Sequence, residues 1–259
     1  MKSEPMINNT AKTKLQAGEP VLGIISPTTD PTICEYIGLT GFDFYMMDAE
    51  HGPISITEAI QMVRACEVAQ IPCFARIQQL DEKLILQYLD AGVLGVMMPG
   101  IQTANQVRAL VAAIKYPPFG KRGLGPVRAG DYLAGKFSQL QYVEHANAQT
   151  LVLPQIEDLE CVANLDDILT VEGIDGFIIG PRDLAMSMGF YDGPNHPEVK
   201  AVIDQIRAKV LAAGKHIGTV AGTAEQARAL IAEGFTLILN STQGLLAQAG
   251  KTFLAAKLG

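Results

Sequence analysis

Two stretches decide how this chain folds: Leu151-Val152-Leu153-Pro154-Gln155-Ile156-Glu157 and Gly176-Phe177-Ile178-Ile179-Gly180-Pro181-Arg182-Asp183. Each opens as a short apolar run flanked by turn signals, the pattern of a strand buried on both faces. Each then ends in polar residues. A parallel α/β barrel carries its chemistry at the C-terminal tips of its strands. Glu157 and Asp183, on successive tips, are therefore candidate ligands for a hard divalent cation. The local alternative is that Glu157 caps the next helix and Asp183 is an acid in a first helical turn.

Outward from these two, strand patterns recur at residues 21–25, 42–47, 73–77, 95–99, 216–221 and 236–240. Helical patterns fall at 11–16, 31–41, 56–69, 82–91, 104–114, 139–148, 159–169, 185–188, 197–213, 224–233 and 245–258. Pro197 at a first turn and Gly214 past a last one mark one of these helices. No composition shift or linker divides the series. Eight strands alternating with helices, joined by right-handed crossovers, predict a single (β/α)8 TIM barrel as one domain over residues 1–259, preceded by a helix. An open doubly wound sheet is the runner-up, but no G-x-G-x-x-G follows the first strand and no P-loop occurs. Residues 116–132, with Pro117-Pro118, Lys121, Arg122 and Arg128, are too long for a routine connection and predict a functional loop.

Bulk properties exclude several classes. A 259-residue chain with 48% hydrophobic residues buries a core without staples. A net charge of −7 argues against nucleic-acid and anionic-membrane partners. No apolar stretch approaches a membrane span, and Met1-Lys2-Ser3-Glu4-Pro5 lacks the apolar core of a signal peptide. Cys34, Cys66, Cys73 and Cys161 form no C-x-x-C pattern, so a reduced cytoplasmic protein is expected and a zinc site is not.

The strand tips collect Asp48 and His51, Arg76, Gln155, Glu157 and Asp183. A Schiff-base enzyme needs a desolvated lysine inside the barrel. Lys115, Lys121, Lys136, Lys200, Lys209 and Lys215 instead lie in loops, helices or at the entry of a strand, so carbanion chemistry here calls for a metal. An arginine in an apolar strand is costly unless paired. Arg76 thus reads either as a structural ion pair with Asp48 or Glu50, or as a functional cation. His51 is either a solvated loop histidine or a base whose ring Asp48 orients. His145, His196 and His216 have weaker claims by position.

Taken together, Asp48-Ala49-Glu50-His51-Gly52-Pro53, Tyr116-Pro117-Pro118-Phe119-Gly120-Lys121-Arg122-Gly123, Gln155-Ile156-Glu157 and Gly173-Ile174-Asp175-Gly176 with Gly180-Pro181-Arg182-Asp183-Leu184 resemble the 4-hydroxy-2-oxoheptanedioate aldolase / citrate lyase-like family of class II, metal-dependent pyruvate aldolases. The likeness runs from about Ala11 to the C-terminal helix. It implies Glu157 and Asp183 as ligands of Mg2+, Mn2+ or Co2+, and Gln155 as a substrate contact. It further implies His51 as general base, Arg76 as the group facing the enolate, and Asp90 as an acid that raises the histidine's basicity. Gly180, Arg182 and Asp183 are implied around the substrate carboxylate. A homo-oligomer, hexamer or trimer, with C-terminal helices exchanged between subunits is also implied.

Three departures stand out: Arg182 occupies a position that is often small, Gln243 stands where related aldolases carry aspartate, and residues 123–131 differ in detail. The expected reaction is reversible cleavage of a 4-hydroxy-2-oxo acid to pyruvate and an aldehyde. The alternatives are another metal-dependent C–C lyase, acting on oxaloacetate or on malyl- or citramalyl-thioesters, and a non-catalytic barrel binding a small acid.

Overall fold

A computed structural model describes residues 8–257. The expectations for Met1 to Pro5 and for Leu258 lie outside the described residues. The chain runs α1 (Thr10–Gln16), β1 (Val21–Ser26), α2 (Thr32–Leu39), β2 (Phe44–Asp48), α3 (Ile56–Val68), β3 (Cys73–Arg76), α4 (Glu82–Ala91) and β4 (Gly95–Met98). After α5 (Ala104–Ile114) come a 3-10 turn (Arg128–Leu133), α6 (Gln139–Gln149), β5 (Leu151–Ile156), α7 (Leu159–Ala163), α8 (Leu165–Leu169) and β6 (Gly176–Ile179). The series ends with α9 (Pro181–Ser187), α10 (Pro197–Ala212), β7 (His216–Val220), α11 (Ala224–Ala232), β8 (Leu237–Ser241) and α12 (Thr242–Leu254). All strand pairs are parallel, each strand bonds to its sequence neighbour, and β8 returns to β1, so the barrel is closed.

Alternation along the strands sorts side chains into two layers. Phe44, Met46, Phe74, Leu151, Leu153 and Leu239 fill the barrel interior, while Tyr45, Met47, Val96, Val152, Phe177 and Ile217 face the helices. The Phe44 and Phe74 rings stack with centroids 4.7 Å apart. Room for them comes from glycines on neighbouring strands. Gly23 is the register partner of Phe44 and Gly95 that of Phe74. A β-carbon at Gly23 would stand 2.2 Å from the Phe44 ring, and one at Gly95 2.7 Å from Phe74.

The end where the strands begin is sealed by α1. Its Ala11 and Leu15 join the interior cluster. Asn9 donates to the carbonyls of Leu94 and Gln149, and Lys12 pairs with Asp175 at 2.8 Å. Lys115 is buried in the same layer, its Nζ donating to the carbonyl oxygens of Asn147 (2.9 Å) and Thr150 (2.6 Å). Burial pulls its pKa down to about 8. This desolvated lysine lies before β5, at the opposite end from Gln155 and Glu157.

Several element boundaries differ from the sequence expectation, three of them for reasons the structure makes plain. The helix expected over 159–169 is broken at Asn164 (φ −94°, ψ 5°), whose side-chain amide donates to the Gln102 carbonyl at 2.9 Å. The helix expected at 185–188 starts earlier, at Pro181, because proline suits a first helical turn. The last helix starts at Thr242 instead of 245, since the Ser241 hydroxyl caps it by accepting from the Gly244 amide at 3.0 Å.

Residues 116–132 pack away from the strand tips. Arg122 donates to Asp90 (2.9 Å) and lies over the Tyr116 ring at 4.5 Å, while Arg128 pairs with Glu67 and donates to the Ala91 carbonyl at 3.0 Å. Among the described residues, no helix is long and apolar enough to cross a membrane.

Candidate active site

The C-terminal ends of the strands open into a cavity of about 630 Å³. Asp48, His51, Arg76, Gln155, Arg182 and Asp183 all line it, so six of the residues singled out above converge on one space. Gly180 lies in its wall and Glu157 stands beside Gln155. The barrel brings them together: each follows or ends a strand, and adjacent strands carry their tips to the same level.

Asp48 and Arg76 are register partners across β2 and β3. The guanidinium meets the carboxylate in a two-point fork, Nε to Oδ1 at 2.9 Å and Nη2 to Oδ2 at 2.7 Å, and its Nη1 lies 3.2 Å from Glu50 Oε2. Burial works against the Arg76 charge, but the Asp48 hydrogen bonds and the carboxylates of Glu50 and Glu157 outweigh it, raising the Arg76 pKa above its ordinary value. The structural ion pair considered for Arg76 is thus present, inside the cavity itself.

Asp48 does not orient the His51 ring as expected. Its Oδ1 accepts the His51 backbone N–H at 3.2 Å, and its two oxygens are committed to Arg76. The turn closed by the Gly52 amide on the Asp48 carbonyl (3.0 Å) carries the imidazole outward, 65% exposed, with Nε2 3.8 Å from Glu50 Oε2. Glu50 is the carboxylate beside the histidine. β2 ends at Asp48, and the turn through residues 49–51, not strand alternation, sets this placement.

Glu157 accepts the Gly100 backbone N–H on Oε1 at 2.7 Å and the Gln155 side-chain amide on Oε2. Burial raises its pKa; the Gly100 amide opposes this, the Glu50 and Asp183 carboxylates add to it, and Arg76 lowers it. Four charged groups therefore share one field. Gly180 permits the close packing: a β-carbon there would lie 2.6 Å from Gln155 Nε2 and 3.1 Å from Glu157 Cβ. Gln155 Oε1 and Glu50 Oε2 are buried without a hydrogen-bond partner among the described residues, and the Asp183 carboxylate forms no hydrogen bond or ion pair with any of them.

Asp90 does not join this set within one chain. It lies on α4, away from the cavity lining, and its partner is Arg122. Burial raises its pKa while Arg122 opposes the rise. Residues not foreseen for the site are the Gly100 amide and the wall formed by Asn240 and Ser241, which carry no periodicity or motif signal. Gln243, noted in the sequence, joins that wall.

Comparison with known proteins identifies the family and supports the barrel fold. The family model "HpcH/HpaI aldolase/citrate lyase" matches residues 22–248. The hydroxypyruvate/pyruvate aldolase of Pseudomonas aeruginosa is 35% identical over 231 residues, covering 89% of this chain and 85% of the relative. The 2-keto-3-deoxy-L-rhamnonate aldolase of Escherichia coli K12 is 33% identical over 234 residues, covering 90% and 86%. Among solved structures, an HpcH/HpaI aldolase/citrate lyase family protein from Burkholderia cenocepacia superposes with a TM-score of 0.89 at 28% identity, covering 97% and 100%. The citrate synthase SbnG does so with a TM-score of 0.86 at 29% identity, covering 95% and 96%. With the family model matching residues 22–248 and these aldolases 33–35% identical over most of its length, the chain belongs to the HpcH/HpaI aldolase/citrate lyase family and is a carbon–carbon lyase of the aldolase type.

Proposed function

We propose that the protein is a class II pyruvate aldolase that reversibly cleaves a 4-hydroxy-2-oxo acid to pyruvate and an aldehyde. The observation that carries this reading is the convergence of Arg76, Gln155, Glu157 and Asp183 with His51 around one cavity at the strand tips.

The donor set fits a hard divalent cation. Glu157 and Asp183 offer carboxylate oxygens, and Gln155 Oε1 is a buried acceptor lacking a donor. Among the described residues no group of three or more His, Cys, Asp and Glu forms a ready-made metal site. Two carboxylates completed by substrate and water suit Mg2+ or Mn2+, with Co2+ also compatible, better than zinc. When bound, the ion supplies Lewis-acid stabilisation of negative charge on the 2-oxo group.

The chain's own groups do the rest. Each terminal nitrogen of Arg76 carries two N–H groups, so the fork to Asp48 and the contact to Glu50 leave donors for the developing enolate oxygen. First-turn amides of α9 at Arg182 and Asp183 border the cavity and can take the substrate carboxylate. In cleavage His51 removes the proton from the 4-hydroxyl, the C3–C4 bond breaks, and its electron pair moves into the 2-oxo group. Exposure of the imidazole lets it pass that proton to solvent.

Assembly and location belong to the same reading. Every residue of α12 has solvent access, and Leu246, Phe253 and Leu254 lie on its surface, which supports exchange of this helix in a homo-oligomer, trimer or hexamer. Asp90 would then act across a subunit contact. Four cysteines that are all buried and free support a reduced, cytoplasmic setting.

Pyruvate release from a 4-hydroxy-2-oxo acid, measured before and after chelation and metal return, tests the proposal. Full activity after thorough metal removal would overturn it. The same assay run with oxaloacetate and with acyl-thioesters separates the other C–C lyase chemistries.

A further inference from the structure

The chain has eight arginines, and seven of them are engaged by groups of the chain itself. Arg64 and Arg108 bond side-chain carbonyls of their own helices, and Arg76, Arg122, Arg128, Arg207 and Arg228 meet carboxylates. Among the arginines, the Arg182 side chain alone makes no hydrogen bond or ion pair with the described residues, yet Arg182 lines the strand-tip cavity. The part of the lining drawn from the ends of β7 and β8 and the start of α12 contributes Val220, Asn240, Ser241 and Gln243 and no acidic side chain. The other guanidinium of the cavity, Arg76, is held by Asp48 and Glu50. The cavity is about 630 Å³, larger than a three-carbon 2-oxo acid needs.

We propose that Arg182 is a specificity-determining residue that recognises an anionic group, carboxylate or phosphate, on the aldehyde partner. The assignment rests on the aldol reading above and adds the charge of the second substrate to it. An unpaired guanidinium beside a neutral wall offers a two-point fork to either anion and repays its desolvation only when such a group arrives. In the synthetic direction C3 of the pyruvate enolate bonds to the aldehyde carbon. The carbonyl π pair becomes the 4-alkoxide and takes up one proton, balancing the one lost from the pyruvate methyl. Arg182 takes no part in these bond changes; it holds the remote end of the acceptor.

The test compares matched acceptors in pyruvate addition: butanal against 4-oxobutanoate, and glyceraldehyde against glyceraldehyde 3-phosphate. The wild type is expected to favour one anionic member by about tenfold or more in kcat/KM, and Arg182→Ala to lose that ratio while Arg182→Lys recovers part of it. The preference should weaken with added salt in the wild type and not in Arg182→Ala. Calorimetric binding of 4-oxobutanoate and of glyceraldehyde 3-phosphate, read without turnover, should likewise weaken about tenfold for the favoured anion in Arg182→Ala. Which pair responds tells carboxylate from phosphate. Equal kcat/KM for neutral and anionic acceptors, or anion binding unchanged by Arg182→Ala, would overturn the assignment. A loss confined to the KM of pyruvate would also overturn it, placing the guanidinium on the 2-oxo acid. Absence of all aldol turnover beside Arg182-dependent anion binding would sink the aldol reading and leave the anion site standing.

Discussion

Arg76 and Asp48 sit opposite each other in the β2–β3 register and close a two-point ion pair, Nε–Oδ1 2.9 Å and Nη2–Oδ2 2.7 Å, at the floor of the cavity. The pair joins fold to chemistry, because the strand register that shapes the barrel also aims the guanidinium. Removing Asp48 leaves Arg76 with Glu50 alone, and removing Arg76 leaves Asp48 with no ion-pair partner among the described residues.

Arg76→Ala is expected to lower kcat about 10²- to 10³-fold, the usual cost of losing one donor to a developing oxyanion. Asp48→Ala should also lower kcat, and in addition destabilise the fold by about 3–5 kcal/mol, since Arg76 would keep only Glu50. Steady-state kinetics with denaturant unfolding on both variants checks this. An Arg76→Ala enzyme with full turnover would remove the arginine from the reaction.

Gly180→Ala is the sharpest probe of site packing. The new methyl would stand 2.6 Å from Gln155 Nε2 and 3.1 Å from Glu157 Cβ, so one of the two side chains must shift to admit it. Displacing either side chain by part of an ångström should reduce kcat/KM by about tenfold to a hundredfold. Kinetics paired with metal titration will show whether Glu157 has moved. Wild-type values for both would mean that position 180 tolerates a side chain after all.

The barrel was legible because its signals are local: buried runs end in turn residues, helices repeat every three to four positions, and each strand follows a helix. Glu157 and Asp183 stood out as candidates for a local reason too: Glu157 directly follows β5, and Asp183 falls in the first turn of α9 just after β6. What escaped depends on partners far along the chain. Whether Asp48 faces His51 or Arg76 is decided by the β2–β3 register, which no pattern within either strand reveals. Asp90 finds Arg122 across 32 residues, and the break at Asn164 coincides with a bond to the Gln102 carbonyl 62 residues away.

Interior packing gives a prediction independent of catalysis. Gly23→Ala would drive a methyl to 2.2 Å from the fully buried Phe44 ring. Overpacking of this kind costs about 1–3 kcal/mol, and Phe44→Leu in the same chain should recover part of it. A double-mutant cycle read by denaturant unfolding tests the coupling; additive losses would show that the ring moves aside freely.

Lys115 gives the fold a pH dependence of definite sign. Burial lowers its pKa from 10.5 to about 8, opposed by Asp175 and assisted by Lys12. Between about pH 8 and 10.5 the unfolded chain binds a proton at this amine that the folded chain does not. Stability therefore rises with pH through that window, and below it the buried ammonium carries its full penalty. Relative to Lys115→Met, which has no such group, the wild type should gain on the order of 3 kcal/mol from pH 7.5 to 10.5. The variant also removes donors from the Asn147 and Thr150 carbonyls, which shifts the difference by a constant and leaves its slope untouched. Urea unfolding of both proteins at several pH values measures that slope. A difference that stays flat across the window would mean that the amine titrates as it does in the unfolded chain.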